Sequence, residues 1–137
     1  MKARLHRICA LALCLALLAA LALPAMALQA DDWALPELEQ ASQAGILPAS
    51  LESADLTQRL TRQEMCQVVV HTFSKLVGKT LYPASTRHFT DTDNADICIA
   101  QELGIVSGYP DGTFRPNATI TREEFCQVTA SFFAALG

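Results

Sequence analysis

Two kinds of apolar pattern divide the chain. From Ile8 to Leu23 apolar residues run without interruption. Farther along they recur in steps of three and four. One such stretch is Met65, Val68, Val69, Thr72, Phe73, Leu76 and Val77, and another is Phe125, Val128, Thr129, Phe132, Phe133 and Leu136. These steps lay a broad apolar stripe along one side of an α-helix. Each stretch is entered through Thr-Arg-x-Glu, so Thr61 with Glu64 and Thr121 with Glu124 predict capping boxes that satisfy the orphan amides of a helix start. Shorter helices are predicted at about Pro36 to Ala44, with Pro36 opening the first, and at about Asn94 to Leu103, capped by Asp93 or Thr92. Gly45 and Gly104 follow, where a helix ends in a left-handed turn. No continuous strand-like alternation competes, so the predicted fold class is all-α.

The halves of this pattern are copies of each other. Thr61 to Val68 matches Thr121 to Val128 at six of eight positions with an offset of 60, and Ala44 to Leu47 aligns with Leu103 to Val106 at an offset of 59. Self-similarity at a fixed spacing is the signature of a repeated structural unit. It predicts two helix–loop–helix repeats, over residues 31–79 and 89–137, with 80–88 as the linker. The loop of the second repeat contains Tyr109-Pro110-Asp111-Gly112, a tight-turn sequence. Phe114 and Ile120 are expected to pin that loop onto the helices.

Charge separates the leader from the body. Residues 1–27 hold Lys2, Arg4 and Arg7 and no acid, then the apolar run, then Ala25-Met26-Ala27. That is the three-part form of a secretory signal peptide. The run of 16 residues is short for a permanent membrane span, which needs roughly 20. Residues 28–137 carry seven Lys and Arg against fourteen Asp and Glu, a net −7. So acidic a body does not suit nucleic acid, whose phosphates need a basic face. The expectation is a secreted protein with no stable membrane span once the signal is removed. Cys66, Cys98 and Cys126 remain, an odd number with no C-x-x-C pair. They read either as small buried hydrophobes or as one disulfide and one free thiol.

The stretch from Gly104 to Pro116, Gly-Ile-Val-Ser-Gly-Tyr-Pro-Asp-Gly-Thr-Phe-Arg-Pro, followed by Thr121-Arg-Glu-Glu, resembles the S-layer homology domain. Phe89-Thr90-Asp91 is similar to that family's entry motif. Residues 31–79 resemble it more weakly, through Trp33-Ala34, Gly45-Ile46-Leu47 and Thr61-Arg-Gln-Glu. The resemblance implies helical repeats, usually three together, forming a three-pronged pseudo-trimer, of which two repeats would build part. It also implies non-covalent attachment to a cell-wall-linked polysaccharide, often bearing an acidic pyruvate ketal, in grooves between repeats that use the Thr-Arg-x-Glu arginine. The expected location is the bacterial cell wall and surface. The first repeat departs from the pattern because Ala49 to Arg59 replaces Tyr-Pro-Asp-Gly.

Several residues can be weighed on their own chemistry. Arg62 and Arg122 each place a cation in a helix's first turn, against the macrodipole. Beside free amides a guanidinium suits a carboxylate or phosphate, and the competing reading is an ion pair with a neighbouring carboxylate. Asp111 and Gly112 are turn residues or ligand contacts, Tyr109 is a stacking surface for a sugar, and Trp33 is either such a surface or a core residue. Asp91 to Asp96 with Glu102 has calcium-loop spacing, but Ala95 and Asp96 stand where an oxygen ligand and a glycine are needed, so helix capping is the better reading. His71 and His88 are isolated and no acidic pair faces another, so neither an enzyme nor a metal or cofactor site is expected. The alternative to wall binding is a protein–protein module that completes a three-repeat assembly with itself or with another protein of that family.

Overall fold

The computed structural model describes residues 28–137, so the predicted signal peptide lies outside the described residues. Among the described residues there are four helices, α1 (Leu35–Gln43), α2 (Arg62–Val77), α3 (Ala95–Glu102) and α4 (Arg122–Leu136). Among the described residues there is no strand, only two isolated bridges, Gln29 with Asp55 and Thr61 with Thr119. The all-α expectation therefore holds. None of these helices is long and apolar enough to cross a membrane.

Both capping boxes form. The Thr61 and Thr121 side chains accept from the Glu64 and Glu124 amides, and each glutamate accepts in return from the threonine amide. Asn94, rather than Asp93 or Thr92, caps α3, its Oδ1 accepting from the amides of Asp96 and Ile97. Asn94 is the residue immediately before the helix, so its side chain is the one that reaches the second and third amides. Gly45 and Gly104 both adopt positive φ, 63° and 70°. The same closing bond follows each, from the Ile46 amide to Ala41 O at 2.8 Å and from the Ile105 amide to Ala100 O at 2.9 Å. The internal duplication is thus repeated in backbone hydrogen bonds.

The core gathers around α2. Met65, Cys66, Val69, Val70 and Phe73 are buried against Ile97, Ile99 and Ala100 of α3, against Ile105 and Phe114 of the following loop, and against Val128 of α4. Burial of each larger side chain stabilises by about 1.5–3 kcal/mol. The buried stripe is rotated from the one the apolar spacing predicts. Cys66 and Val70 lie inside it, whereas Leu76 and Val77 are exposed. Leu76 and Val77 lie in the last turn of α2, beyond Phe73, the last residue of that helix buried in the core. Phe73 meets Phe132 of α4 edge to face, with centroids 6.1 Å apart. Among the described residues no other helix contacts α1, which lies against its own repeat's loop through residues such as Leu47.

The three cysteines of the body are free thiols. Cys66 and Cys98 are buried, as the small-hydrophobe reading expects, and burial pushes the Cys66 thiol up to about 12. Cys126 departs from that reading and is exposed.

Candidate functional site

Arg62 projects from the first turn of α2 into the loop of the second repeat. Its Nε donates to Phe114 O at 2.9 Å, Nη2 to Ser107 O at 3.3 Å, and Nη1 pairs with Glu124 Oε1 at 2.5 Å. The guanidinium carbon lies 4.5 Å from the Phe114 ring centroid and 5.1 Å from that of Tyr109. Only 8% of the residue is exposed. The carboxylate partner is therefore 62 residues away, in the other repeat, and not a neighbour on the same helix. A buried cation held by carbonyls, a carboxylate and two aromatic faces is a structural junction between the repeats.

The amides at the start of α2 are engaged as well. Arg62 N donates to Ala118 O at 2.9 Å and Gln63 N to Pro116 O at 3.0 Å, while Ile120 N donates back to Leu60 O at 3.0 Å. The free amides on which the anion reading of Arg62 relied are thus filled by the second repeat's loop. At the matching position in α4, the Arg122 and Glu123 amides meet no acceptor among the described residues, and Arg122 is exposed with no salt-bridge partner there.

Above Arg62 lies a groove of about 170 Å³ at the boundary of the repeats, lined by Arg62, Ser107, Gly108, Tyr109, Glu124 and Gln127 with an apolar floor. The amides of Ser107 and Gly108 donate to no other group among the described residues. Arg62 retains two of its five N–H donors beyond the three bonds above. The groove therefore offers donors to an anionic or hydroxyl-rich ligand.

Of the six residues singled out from sequence, Arg62 and Tyr109 line this groove, and Arg122, Asp111, Gly112 and Trp33 do not. Asp111 Oδ1 accepts from the Thr113 amide at 3.0 Å and its hydroxyl at 2.6 Å, while Oδ2 accepts from Arg115 Nη2 at 2.9 Å. Gly112 turns the chain at φ 81°. Both perform the turn duty of the alternative reading. Trp33 is 78% exposed, with Nε1 donating to Asp31, so it is not a core residue. Tyr109 bonds Glu124 through its hydroxyl, and the Arg115 guanidinium lies 4.0 Å from its ring centroid, which occupies one ring face.

Three groups play parts that the sequence reading did not assign to them. Asp91 reaches across 23 residues, its two oxygens accepting from the Phe114 and Arg115 amides at 2.8 Å each. Arg115 holds a left-handed φ of 58°, uncommon for a residue with a side chain, and these bonds keep it there. Glu102 accepts from the Ala84 and Ser85 amides and pairs with His88 at 2.7 Å, securing the linker. The Phe-Thr-Asp entry motif and the calcium-like spacing both pointed to Asp91, and neither disclosed its partners.

These bonds also set a pH dependence. Amide donors hold Asp91 below its ordinary value, led by Phe114, and hydrogen bonds led by the Thr113 side chain bring Asp111 to about 2. Glu124 is lowered by the Thr121 amide and then by Arg62. A depressed folded-state pKa adds stability that is complete above the unfolded carboxylate range, about 4, and disappears as pH falls through the folded value. The midpoint of urea unfolding is therefore expected to be flat from pH 7 to about 5 and to fall steeply toward about pH 2. Asp91→Asn should lower the pH 7 midpoint and flatten that acid limb, which a urea titration at each pH would measure.

Residues 89–126 match the S-layer homology domain. The amylopullulanase of Thermoanaerobacterium thermosulfurigenes is 27% identical over 103 residues, 70% of this chain and 6% of that protein. Cell surface glycoprotein 1 of Acetivibrio thermocellus is 36% identical over 77 residues, 49% of this chain and 3% of that protein. The cellulosome-anchoring protein of the same organism is 53% identical over 36 residues, 26% of this chain and 8% of that protein. The chain thus spans less than a tenth of each of these relatives. No solved structure matches it. With the loop, both capping boxes and the Phe-Thr-Asp entry in place, residues 89–126 of the chain carry an S-layer homology domain.

Proposed function

We propose that this protein is held at the bacterial cell surface by non-covalent binding of an acidic cell-wall-linked polysaccharide in the groove between its repeats, without catalysis. The observation that carries this reading is the groove itself, with Arg62 buried at one side and the Ser107 and Gly108 amides without an acceptor among the described residues. An acidic substituent such as a pyruvate ketal carries a planar carboxylate, which paired N–H donors bind well. Two relatives bear the names of a cell surface glycoprotein and a cellulosome-anchoring protein, which accords with that role. Single contacts of this size are weak, so retention on a polymer would draw on many copies acting together.

The test is co-sedimentation of the chain with bacterial walls, intact and stripped of secondary polysaccharide. Gln127→Glu is the informative variant because Gln127 is exposed and lines the groove. The chain is expected to pellet with intact walls only. Gln127→Glu, which sets a like charge beside the ligand, is expected to bind about tenfold more weakly while unfolding as the unsubstituted chain does. Equal recovery with both kinds of wall, or with neither, would overturn the proposal.

A further inference from the structure

Basic charge is unevenly placed along this acidic body. No acidic residue occurs between Glu64 and Asp91, and that stretch holds Lys75 and Lys79, both of the lysines of residues 28–137, together with Arg87. The fold makes part of this stretch the wall of a cavity. Where α2 ends at Val77 and Gly78 turns the chain at φ 66°, a cavity of about 440 Å³ opens. His71, Lys75, Lys79, Thr80 and Leu81 line it, with Asp96 from the first turn of α3. Val70 and Ile99 give it an apolar part. It shares no lining residue with the groove above Arg62.

Two kinds of unused bonding capacity meet there. Lys75 and Lys79 form no ion pair among the described residues, and the Thr80 and Leu81 amides donate to no group among them. Ammonium groups beside free amides suit the oxygens of a phosphate, which lysine binds as a point charge. Lys75 alone would be accounted for by the negative end of α2, whose last turn it occupies. Lys79 lies beyond that helix and His71 before its last turn, so the cluster exceeds what a helix end needs. Asp96 supplies the opposite chemistry. Its half-buried carboxylate accepts from no donor among the described residues; burial raises its pKa above the ordinary value, and the charge of His71 opposes that rise. Such a group repels a bare anion but accepts hydrogen bonds from hydroxyls. We propose that this cavity is a second ligand site, for a phosphorylated sugar. Lys75, Lys79 and the Thr80 and Leu81 amides hold the phosphate, Asp96 accepts from ring hydroxyls, and the ring's C–H surface packs on Val70 and Ile99. The volume of about 440 Å³ falls within the range of small-molecule sites, about 300–1,000 Å³. This inference does not depend on the polysaccharide.

The test is an amide-resolved NMR titration of the isotope-labelled chain with glucose 1-phosphate, inorganic phosphate and glucose, at fixed ionic strength. Glucose 1-phosphate is expected to shift the Thr80, Leu81 and Asp96 amide resonances saturably, and to bind about tenfold more tightly than inorganic phosphate. Glucose alone is expected to leave them in place. Lys79→Gln, at an exposed position, is expected to weaken both phosphates about five- to tenfold. Asp96→Ala is expected to erase the preference for the sugar without weakening inorganic phosphate, because it removes the acceptor and the like charge together. A merely structural role of Asp96 would weaken both alike and overturn its assignment. Equal affinity of the unsubstituted chain for phosphate with and without the sugar would overturn the proposal. So would the absence of a saturable shift, or shifts at Ser107 and Gly108 without shifts at Thr80 and Leu81, which would put the phosphate in the groove. Gln127→Glu, which lines the groove and not this cavity, is expected to leave the Thr80 and Leu81 shifts unchanged, so the two proposals fail separately.

Discussion

Arg62→Ala is expected to lower stability by about 3–5 kcal/mol, while Arg122→Ala, the same residue in the same motif, should stay within about 0.5 kcal/mol of the unsubstituted chain. Removing Arg62 strips hydrogen bonds from Phe114 O and Ser107 O, leaves Glu124 without its cation and takes away the plate between two aromatic rings. Removing Arg122 breaks no ion pair among the described residues. Thermal unfolding followed by circular dichroism would show the difference, with a drop on the order of 10–25 °C for the first variant and little for the second. Comparable losses in both would mean that the junction around Arg62 is not what distinguishes the two helices. The larger effect also explains why Arg62→Ala is a poor probe of ligand binding: it dismantles the wall of the groove as well as removing a donor.

Phe114→Ala should be similarly costly, about 3–5 kcal/mol for a buried aromatic side chain that leaves a cavity. Phe114 is 1% exposed, lies 5.1 Å from Phe89 between centroids, and supports the Arg62 guanidinium from below. Its amide is one of the two that Asp91 grips, so the loss would loosen the whole turn from Tyr109 to Arg115. Phe133→Ala is the matched comparison. Phe133 is 64% exposed, and its truncation is expected to cost well under about 1 kcal/mol. Urea midpoints for the two variants measured side by side would check this, and a mild effect of Phe114→Ala would remove the loop from the core.

The helices were legible in the sequence because their signals are local. A threonine followed three positions later by glutamate, a glycine at the end of the helix and a step of three or four each act within a single turn of chain. The side of α2 that is buried was less legible, since Leu76 and Val77 satisfy the same periodicity as Val69 and Phe73. Only the placement of α3 and its loop decides between them. The site shows the same division. The arginine, the tyrosine and the tight turn could be picked out, but the assignment of Arg62 to Glu124, Phe114 and Ser107 joins residues 45 to 62 positions apart. Nothing in the spacing shows that the arginine of one repeat belongs to the loop of the next. Asp91 was read as part of a capping run because its neighbours are good caps, whereas its own carboxylate is committed to two amides in the distant turn.

The partners of Arg62 also impose an order on assembly. Arg62 is made early, yet its guanidinium waits for Ser107, Phe114 and finally Glu124, 62 residues later. At synthesis rates of about 5–20 residues per second, that interval lasts roughly 3–12 seconds. Throughout it the apolar side of α2 is a half-made surface, and the first repeat has no means of closing its own core. Maturation of the chain is therefore gated by its carboxyl-terminal third, and a ribosome stalled between the two repeats would present an open, adhesive intermediate instead of a finished small domain.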